Sequence, residues 1–196
     1  MEDLKVDSVY PGFDQSELLA LARLDLDKGN IESALLKVKK ALSMEENNPD
    51  ALSMIGKIYA QIGLYEKSKV YLKKYLKLQP ESVTENFQYG MVHFDSGDRD
   101  TALSVWNELL ESNPTHPPSL FYKGLVLAQK DDIADARKAL GILLQSAPAD
   151  NLYFGKAKEL LQSLESRNAK LNKYANSKEE SEVTKSLPEN AYKVIN

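Results

Sequence analysis

Residues 49–80 read PDALSMIGKIYAQIGLYEKSKVYLKKYLKLQP, and this stretch decides the fold. Small and apolar residues recur in it at three- and four-residue spacing, which is typical of amphipathic α-helices. Gly63 interrupts the pattern, and glycine at such a break indicates a turn. The stretch from Pro49 to Gln79, closed by Pro80, therefore predicts two helices that form a hairpin.

The hairpin pattern returns every 34 residues along the chain. A single hairpin cannot bury its own apolar faces, so stacked copies are needed to form a continuous core. Small residues in the first helix, turn residues, small residues in the second helix and closing prolines all keep this interval. They are Ala22, Gly56, Gly90 and Gly124; Gly29, Gly63, Gly97 and Asp131; Ala34, Ser68, Ala102 and Ala136; and Pro80, Pro114 and Pro148. The sequence therefore predicts stacked hairpins with a common design.

The small residues have a physical purpose in this pattern. Glycine or alanine at the position of Gly56 lets the two helices of a hairpin approach closely, because a larger side chain would force their axes apart. Large residues such as Trp106, Tyr59 and Leu72 then fill the space between helices. Proline closes a unit because it cannot continue the preceding helix.

These residues resemble the pattern of the tetratricopeptide repeat family. The copy in residues 49–82 fits the family pattern best, because it has the expected large, small, aromatic and turn residues in order. They are Leu52, Ile55, Gly56, Tyr59, Gly63, Leu72, Leu76 and Pro80. The resemblance implies an all-α, right-handed α-solenoid of four such hairpins plus a C-terminal capping helix.

The repeat register predicts the organisation of the chain. We expect an N-terminal arm over residues 1–14, repeats over about 15–48, 49–82, 83–116 and 117–150, a capping helix over 151–166, and a flexible charged tail over 167–196. Asp25 stands where the family has an aromatic residue, so we expect weaker packing there. Tyr10 and Phe13 of the arm are candidates to compensate for it.

Composition narrows the class of protein. The chain has no cysteine, which excludes disulfides, thiolate metal sites and cysteine nucleophiles. Its net charge of −4 argues against a dominant surface for nucleic acid or for an anionic membrane, while it leaves room for local patches. The acidic start at Met1–Lys5 is unlike a secretory signal, and no stretch approaches the ~20 apolar residues that span a bilayer. We therefore expect a cytoplasmic protein without a membrane span.

The sequence indicates no catalytic or cofactor chemistry. It has neither a phosphate-binding glycine loop nor a nucleophile elbow. His93 falls between the helices of its hairpin and is interpreted as structural, while His116 falls in a turn and is expected to be solvated. Two isolated histidines do not make a metal site. We predict no enzymatic activity, no catalytic residues, no metal, no cofactor and no small-molecule substrate.

The resemblance places partner binding on a concave groove lined by the first helices. Counting in phase selects apolar anchors and two cations that could orient an acidic group of the ligand: Phe87, Met91, Phe94, Phe121 and Leu125, with Arg23 and Lys57. The predicted partner is an apolar or amphipathic segment of a protein or peptide. Alternatively, the terminal helix and tail cover this patch, or a second copy of the chain does.

Other interpretations stay open at this point. Leu19, Ser53 and Phe87 disfavour the subclass that binds chaperone C-termini through a carboxylate clamp. Residues 144–150, LQSAPAD, resemble the end of the repeat region in cytochrome c maturation factors. Lysines in the second helices of the first two repeats could instead bind nucleic acid or an anionic surface.

Overall fold

The computed structural model describes residues 12–166, and all regular secondary structure in that range is helical. Its helices are α1 (Gln15–Asp27), α2 (Ile31–Met44), α3 (Pro49–Gln61), α4 (Tyr65–Leu78), α5 (Val83–Asp95), α6 (Arg99–Ser112), α7 (Pro117–Gln129), α8 (Ile133–Ser146) and α9 (152–166). Successive odd- and even-numbered helices up to α8 form hairpins, and α9 follows alone. The predicted all-α class, with four hairpins and one further helix, is confirmed.

Local sequence signals explain where the helices begin. Asp14 caps α1 by accepting a hydrogen bond from the backbone N–H of Glu17, and the Glu17 side chain accepts one from the Asp14 backbone in return. Asn48 caps α3, because its side chain accepts a hydrogen bond from a backbone N–H in the first turn of the helix. Pro49 follows at the first helical position, where its missing N–H costs no helical hydrogen bond. These caps fix the entry of both first helices.

The turn inside each hairpin requires a left-handed backbone. Gly29, Gly63 and Gly97 have φ angles of 78°, 74° and 89°. Asp131 occupies the same repeat position with a φ of 65°, and it is the one non-glycine residue with positive φ among residues 12–166. The conformation is therefore set by the repeat and not by the residue that occupies the position.

Close helix contact within the hairpins depends on the small residues of the first helices. A Cβ atom built on Gly56 would lie 2.8 Å from the Leu72 side chain, and one on Gly124 would lie 2.7 Å from Leu140. Ala22, in the first repeat, is fully buried. Its hairpin partner position holds Val38, which is smaller than leucine. Larger residues in the second helix thus coincide with glycine in the first.

A pair of facing positions is held together by different interactions in the first and second hairpins. In the second repeat Tyr59 stacks on Tyr71, with ring centroids 5.6 Å apart. In the first repeat Asp25 and the buried Lys37 occupy the two equivalent positions and form an ion pair, and Ser33 donates a 2.8 Å hydrogen bond to the same carboxylate oxygen. The expectation of weak packing at Asp25 is therefore corrected, because Lys37 and Ser33 compensate for the missing aromatic ring. Tyr10 lies outside the described residues, and Phe13 is exposed.

The chain divides into two compact units, Met1–Ser119 and Leu120–Asn196, with the boundary inside α7. Unit 1 has a core of fully buried side chains that includes Leu18, Val38, Ile55, Leu72 and Trp106. In unit 2, Leu140, Leu143 and Ala157 are fully buried. Most exposed side chains of α9 are polar, among them Lys156, Lys158, Glu159 and Gln162, while Leu152 at its start is exposed as well. The predicted arm over residues 1–14 and tail over 167–196 fall outside the described residues except for Gly12–Asp14.

Candidate partner-binding surface

An open cavity of about 360 Å³ lies along the first helices of unit 1 and is here called the first-helix cavity. It receives residues from three successive first helices, α1, α3 and α5, and Tyr75 of the second helix α4 also lines it. Its lining includes Arg23 and Leu26 from α1, Ser53, Lys57 and Gln61 from α3, and Glu85 from α5. The two cations predicted for the groove, Arg23 and Lys57, therefore lie in one cavity.

Lys57 is paired across the cavity with a buried carboxylate. Its Nζ lies 2.7 Å from Oε1 of Glu85, and Ser53 Oγ donates a 2.8 Å hydrogen bond to the same oxygen. Ser82 Oγ donates to the other carboxylate oxygen. Burial raises the pKa of Glu85, but the hydrogen bonds from Lys57, Ser82 and Ser53 and the Lys57 charge outweigh burial and lower it from 4.5 to about 2. Glu85 therefore stays ionised and joins α3 to α5.

Arg23 is held much more loosely. Its Nη2 lies 3.5 Å from Oδ2 of Asp50, and the two side chains are 61% and 71% exposed. Exposed pairs of this kind contribute little to stability because water and salt screen them. Arg23 can therefore exchange Asp50 for the carboxylate of a ligand. Lys57 could pair with another carboxylate only by leaving the buried Glu85 without its charged partner.

Sequence reasoning missed Glu85, although the repeat contained a signal for it. The equivalent positions in the second and fourth repeats hold Ala51 and Ser119, which are small and fully buried. A glutamate at such a position must find hydrogen-bond donors or remain protonated. The first repeat also has a glutamate at this position, but Glu17 is exposed at the start of α1. A glutamate here therefore indicates a polar contact between helices only where the position is buried, as it is in the second, third and fourth repeats.

The predicted anchors Phe87 and Phe94 both pack against a buried tryptophan. Their ring centroids are 6.2 Å and 6.0 Å from that of Trp106 in α6, whose side chain is fully buried. Trp106 Nε1 also donates a 3.3 Å hydrogen bond to the Phe87 carbonyl oxygen. Both phenylalanines are half-buried, as is Met91. The two phenylalanine rings pack inside the third hairpin and expose only part of their surface.

The remaining predicted anchors lie in unit 2. Phe121 contacts Tyr153 of α9, with ring centroids 5.6 Å apart, and is edge-on to Tyr122 at 5.4 Å. Phe121 and Leu125 are both half-buried. Leu19 holds the position equivalent to Phe87 and Phe121 in the first repeat, but it is buried in the unit 1 core.

Both histidines have packed environments. His93 is buried, with Nδ1 3.0 Å from Oδ2 of Asp98 and its ring edge-on to Tyr89, in keeping with a structural role. His116 is not solvated as predicted: it is half-buried, 2.8 Å from Ser119 Oγ and edge-on to Phe87, and burial lowers the pKa of its imidazole. Within residues 12–166 no three His, Asp or Glu side chains come together as metal ligands would.

Comparison with known proteins gives two matching family models, both described as tetratricopeptide repeat. One covers residues 89–151 and the other residues 49–82. The second range coincides with the stretch from which the hairpin was predicted. Between Gly12 and Ser166, no helix combines the length and the apolar composition that crossing a bilayer requires.

Individual relatives resemble parts of the chain. TPR repeat-containing protein MJ1428 of Methanocaldococcus jannaschii is 33% identical over 90 residues, which is 45% of this chain and 16% of that protein. The crystal structure of a tetratricopeptide repeat protein from Parabacteroides merdae superposes with a TM-score of 0.69 at 21% identity, over 78% of this chain and 60% of that one. MamA protein gives a TM-score of 0.65 at 23% identity, over 89% and 96%. The chain thus spans about a sixth of the curated relative, and the solved structures share its fold.

Proposed function

Because this chain belongs to the tetratricopeptide repeat family, we propose that it is a non-catalytic interaction scaffold that holds a segment of a protein partner. The partner contacts the side chains that the first helices present, beginning at the first-helix cavity. One observation carries the proposal: three successive first helices contribute side chains to one open cavity of mixed polar and apolar character. A peptide or helix is the ligand class that fits such a surface.

The charges of the cavity indicate how a partner is oriented. Lys57 is engaged by the buried Glu85, so it is poorly placed to pair with a second carboxylate. Arg23 is exposed and only loosely paired with Asp50. An acidic side chain of the partner therefore pairs with Arg23, while the half-buried Leu26 in the same cavity contacts its apolar side chains.

The half-buried aromatic residues have a double role in this proposal. Phe87 and Phe94 support Trp106 with one part of their rings and offer the remainder to a partner. A Phe87→Ser variant would then lose binding and stability together, so it cannot separate the two effects. The better test leaves these residues intact.

The absence of cysteine from the chain makes that test simple. Gln61→Cys introduces a unique thiol at an exposed position of the first-helix cavity, and Ser104→Cys introduces one at an exposed position of α6 as a matched control. Each purified variant carries a photoactivatable thiol-reactive cross-linker and is irradiated in lysate of the source cells. The bound protein is identified by mass spectrometry.

The scaffold proposal requires a protein cross-linked from position 61 and absent from position 104, with capture reduced by Arg23→Glu. Cross-linking that is equal at both positions, or that occurs from position 104 alone, would overturn the assignment to the first-helix cavity. Cross-linking of the chain to itself alone would show that a second copy or its own tail occupies the cavity.

A further inference from the structure

The outward faces of α2 and α4 carry exposed apolar side chains at equivalent repeat positions. Leu36 and Val70 lie 34 residues apart and are 36% and 54% exposed. Met44 and Leu78 form a second such pair, 50% and 45% exposed. These four apolar side chains on two neighbouring second helices of unit 1 are exposed, so the burial of a core does not explain them.

Exposed lysines accompany these apolar side chains, one in α2 and three in α4. Lys39 and Lys73 are exposed and follow Leu36 and Val70 by three residues, which places them on the same helix face. Lys74 and Lys77 add two more ammonium groups beside Val70 and Leu78. We call the surface made by these four apolar residues and four lysines the lysine face.

The third repeat does not continue this pattern. The positions of Leu36 and Met44 are held by Ser104 and Ser112 in α6, and the positions of the lysine pair at 73 and 74 by Asn107 and Glu108. The combination of exposed apolar residues and lysines is therefore confined to α2 and α4 among the second helices of unit 1. A general need for solubility would not select such a patch, because it would place polar residues at all of these positions.

The two helices form one continuous surface. A shallow cavity of about 270 Å³ between them is lined by Lys39, Leu42, Ser43, Glu46, Tyr71 and Lys74. The Lys74 ammonium lies 5.8 Å from the centroid of the Tyr71 ring. Acids are also present: Glu46 lines the same cavity, and the exposed Glu32 and Glu66 precede Leu36 and Val70 by one turn. Glu66 accepts a 2.7 Å hydrogen bond from Lys69.

We propose that the lysine face is a peripheral docking site for an anionic lipid membrane surface. Exposed apolar side chains enter the boundary between headgroups and acyl chains, while lysines around them attract anionic headgroups. A membrane fits this arrangement better than an acidic protein segment does. The apolar side chains stand outward singly, so a rigid partner would need a matching pocket for each, whereas a fluid lipid layer needs none.

The test is a vesicle flotation assay with the full chain. Vesicles of phosphatidylcholine alone are compared with vesicles of equal parts phosphatidylcholine and phosphatidylserine. The charge variant is Lys73→Glu with Lys74→Glu and Lys77→Glu, and the apolar variant is Leu36→Ser with Val70→Ser. Matched controls reverse three lysines of unit 2, Lys138, Lys156 and Lys158, or replace the exposed Leu152 by serine. Far-UV circular dichroism verifies that every variant is folded.

The intact chain should float with the phosphatidylserine vesicles only, and raised salt should weaken its binding. Because each lysine near an anionic surface contributes a severalfold gain, the charge variant should bind at least about tenfold more weakly. The apolar variant should also lose binding, and both controls should keep it.

Three results would overturn the proposal. The intact chain could fail to float with phosphatidylserine vesicles, or the unit 2 control could lose as much binding as the charge variant. The third is that a soluble poly-glutamate peptide binds the lysine face while vesicles do not, which would assign the face to an acidic protein partner instead.

Discussion

Gly90 and Trp106 face each other so closely that a Cβ atom on Gly90 would lie 2.2 Å from Trp106 Nε1. The indole cannot move away freely, because it is fully buried and packs against Phe87 and Phe94. Gly90→Ala should therefore destabilise the protein by about 1–3 kcal/mol through overpacking. Urea unfolding followed by far-UV circular dichroism measures the change.

Gly141→Ala is the matched control for that substitution. Gly141 also lies within a helix, but a Cβ atom there would meet nothing within 4 Å. Alanine has the higher helix propensity, so this variant should gain about 0.5–1 kcal/mol.

Combining Gly90→Ala with Trp106→Val reproduces the pair of Ala22 and Val38 in the first repeat, and it should cost less than the sum of the single changes. Simple additivity would show that the two side chains do not compete for space.

The repeat period explains how much of this fold could be predicted. It placed Gly90 and Trp106 in facing helices because the spacing fixes the phase of each helix, and phase determines which side is buried. Period alone does not determine which rotamer a long side chain adopts. The pairing of Lys57 with Glu85, and the packing of Phe87 against both Trp106 and His116, depend on such rotamers and on the neighbouring helix. The period therefore assigned Arg23 and Lys57 to one side of the first helices, but it did not predict that Lys57 pairs with Glu85.

Acid should weaken unit 1 through Glu85. The folded-state pKa is about 2 against an ordinary 4.5, so the ionised carboxylate stabilises the native state fully above about pH 4.5. That contribution is lost as the pH falls from about 4.5 towards 2 and the carboxylate is protonated. Glu85→Gln should lower stability at neutral pH and flatten the dependence of stability on pH within this window.

Urea midpoints recorded at several values between about pH 5 and pH 2 measure that slope. Glu111→Gln, at an exposed glutamate of α6, is the control and should follow the intact chain. A Glu85→Gln curve parallel to that of the intact chain across the whole window would show that Glu85 has an ordinary pKa in the folded state.

The ion pair of Asp25 and Lys37 should be replaceable by the aromatic pair that the second repeat uses. Asp25→Ala deprives the buried Lys37 of its carboxylate, so it should lower the melting temperature more than Asp27→Ala, at an exposed position two residues further along α1. The double variant Asp25→Tyr with Lys37→Tyr reproduces Tyr59 on Tyr71. It should recover most of the loss, whereas Asp25→Tyr alone should not, because the Lys37 ammonium would still be buried without that carboxylate. Differential scanning calorimetry provides the comparison.

Asp131 should be the residue whose replacement most simply stabilises unit 2. Its φ of 65° lies in the left-handed region, where a side chain with a Cβ atom is strained and glycine is not. Asp131→Gly relieves that strain but gives the unfolded chain more freedom, so the expected net gain is about 0.5–1 kcal/mol. The reciprocal variant Gly97→Asp should lose a similar amount, because Gly97 holds the same turn position with a φ of 89°. Urea unfolding measures both changes. Because each repeat contacts mainly its neighbours, hydrogen exchange should locate the gain of Asp131→Gly in α7 and α8. A loss of stability in Asp131→Gly would mean that the aspartate side chain stabilises the turn by more than its backbone strain costs.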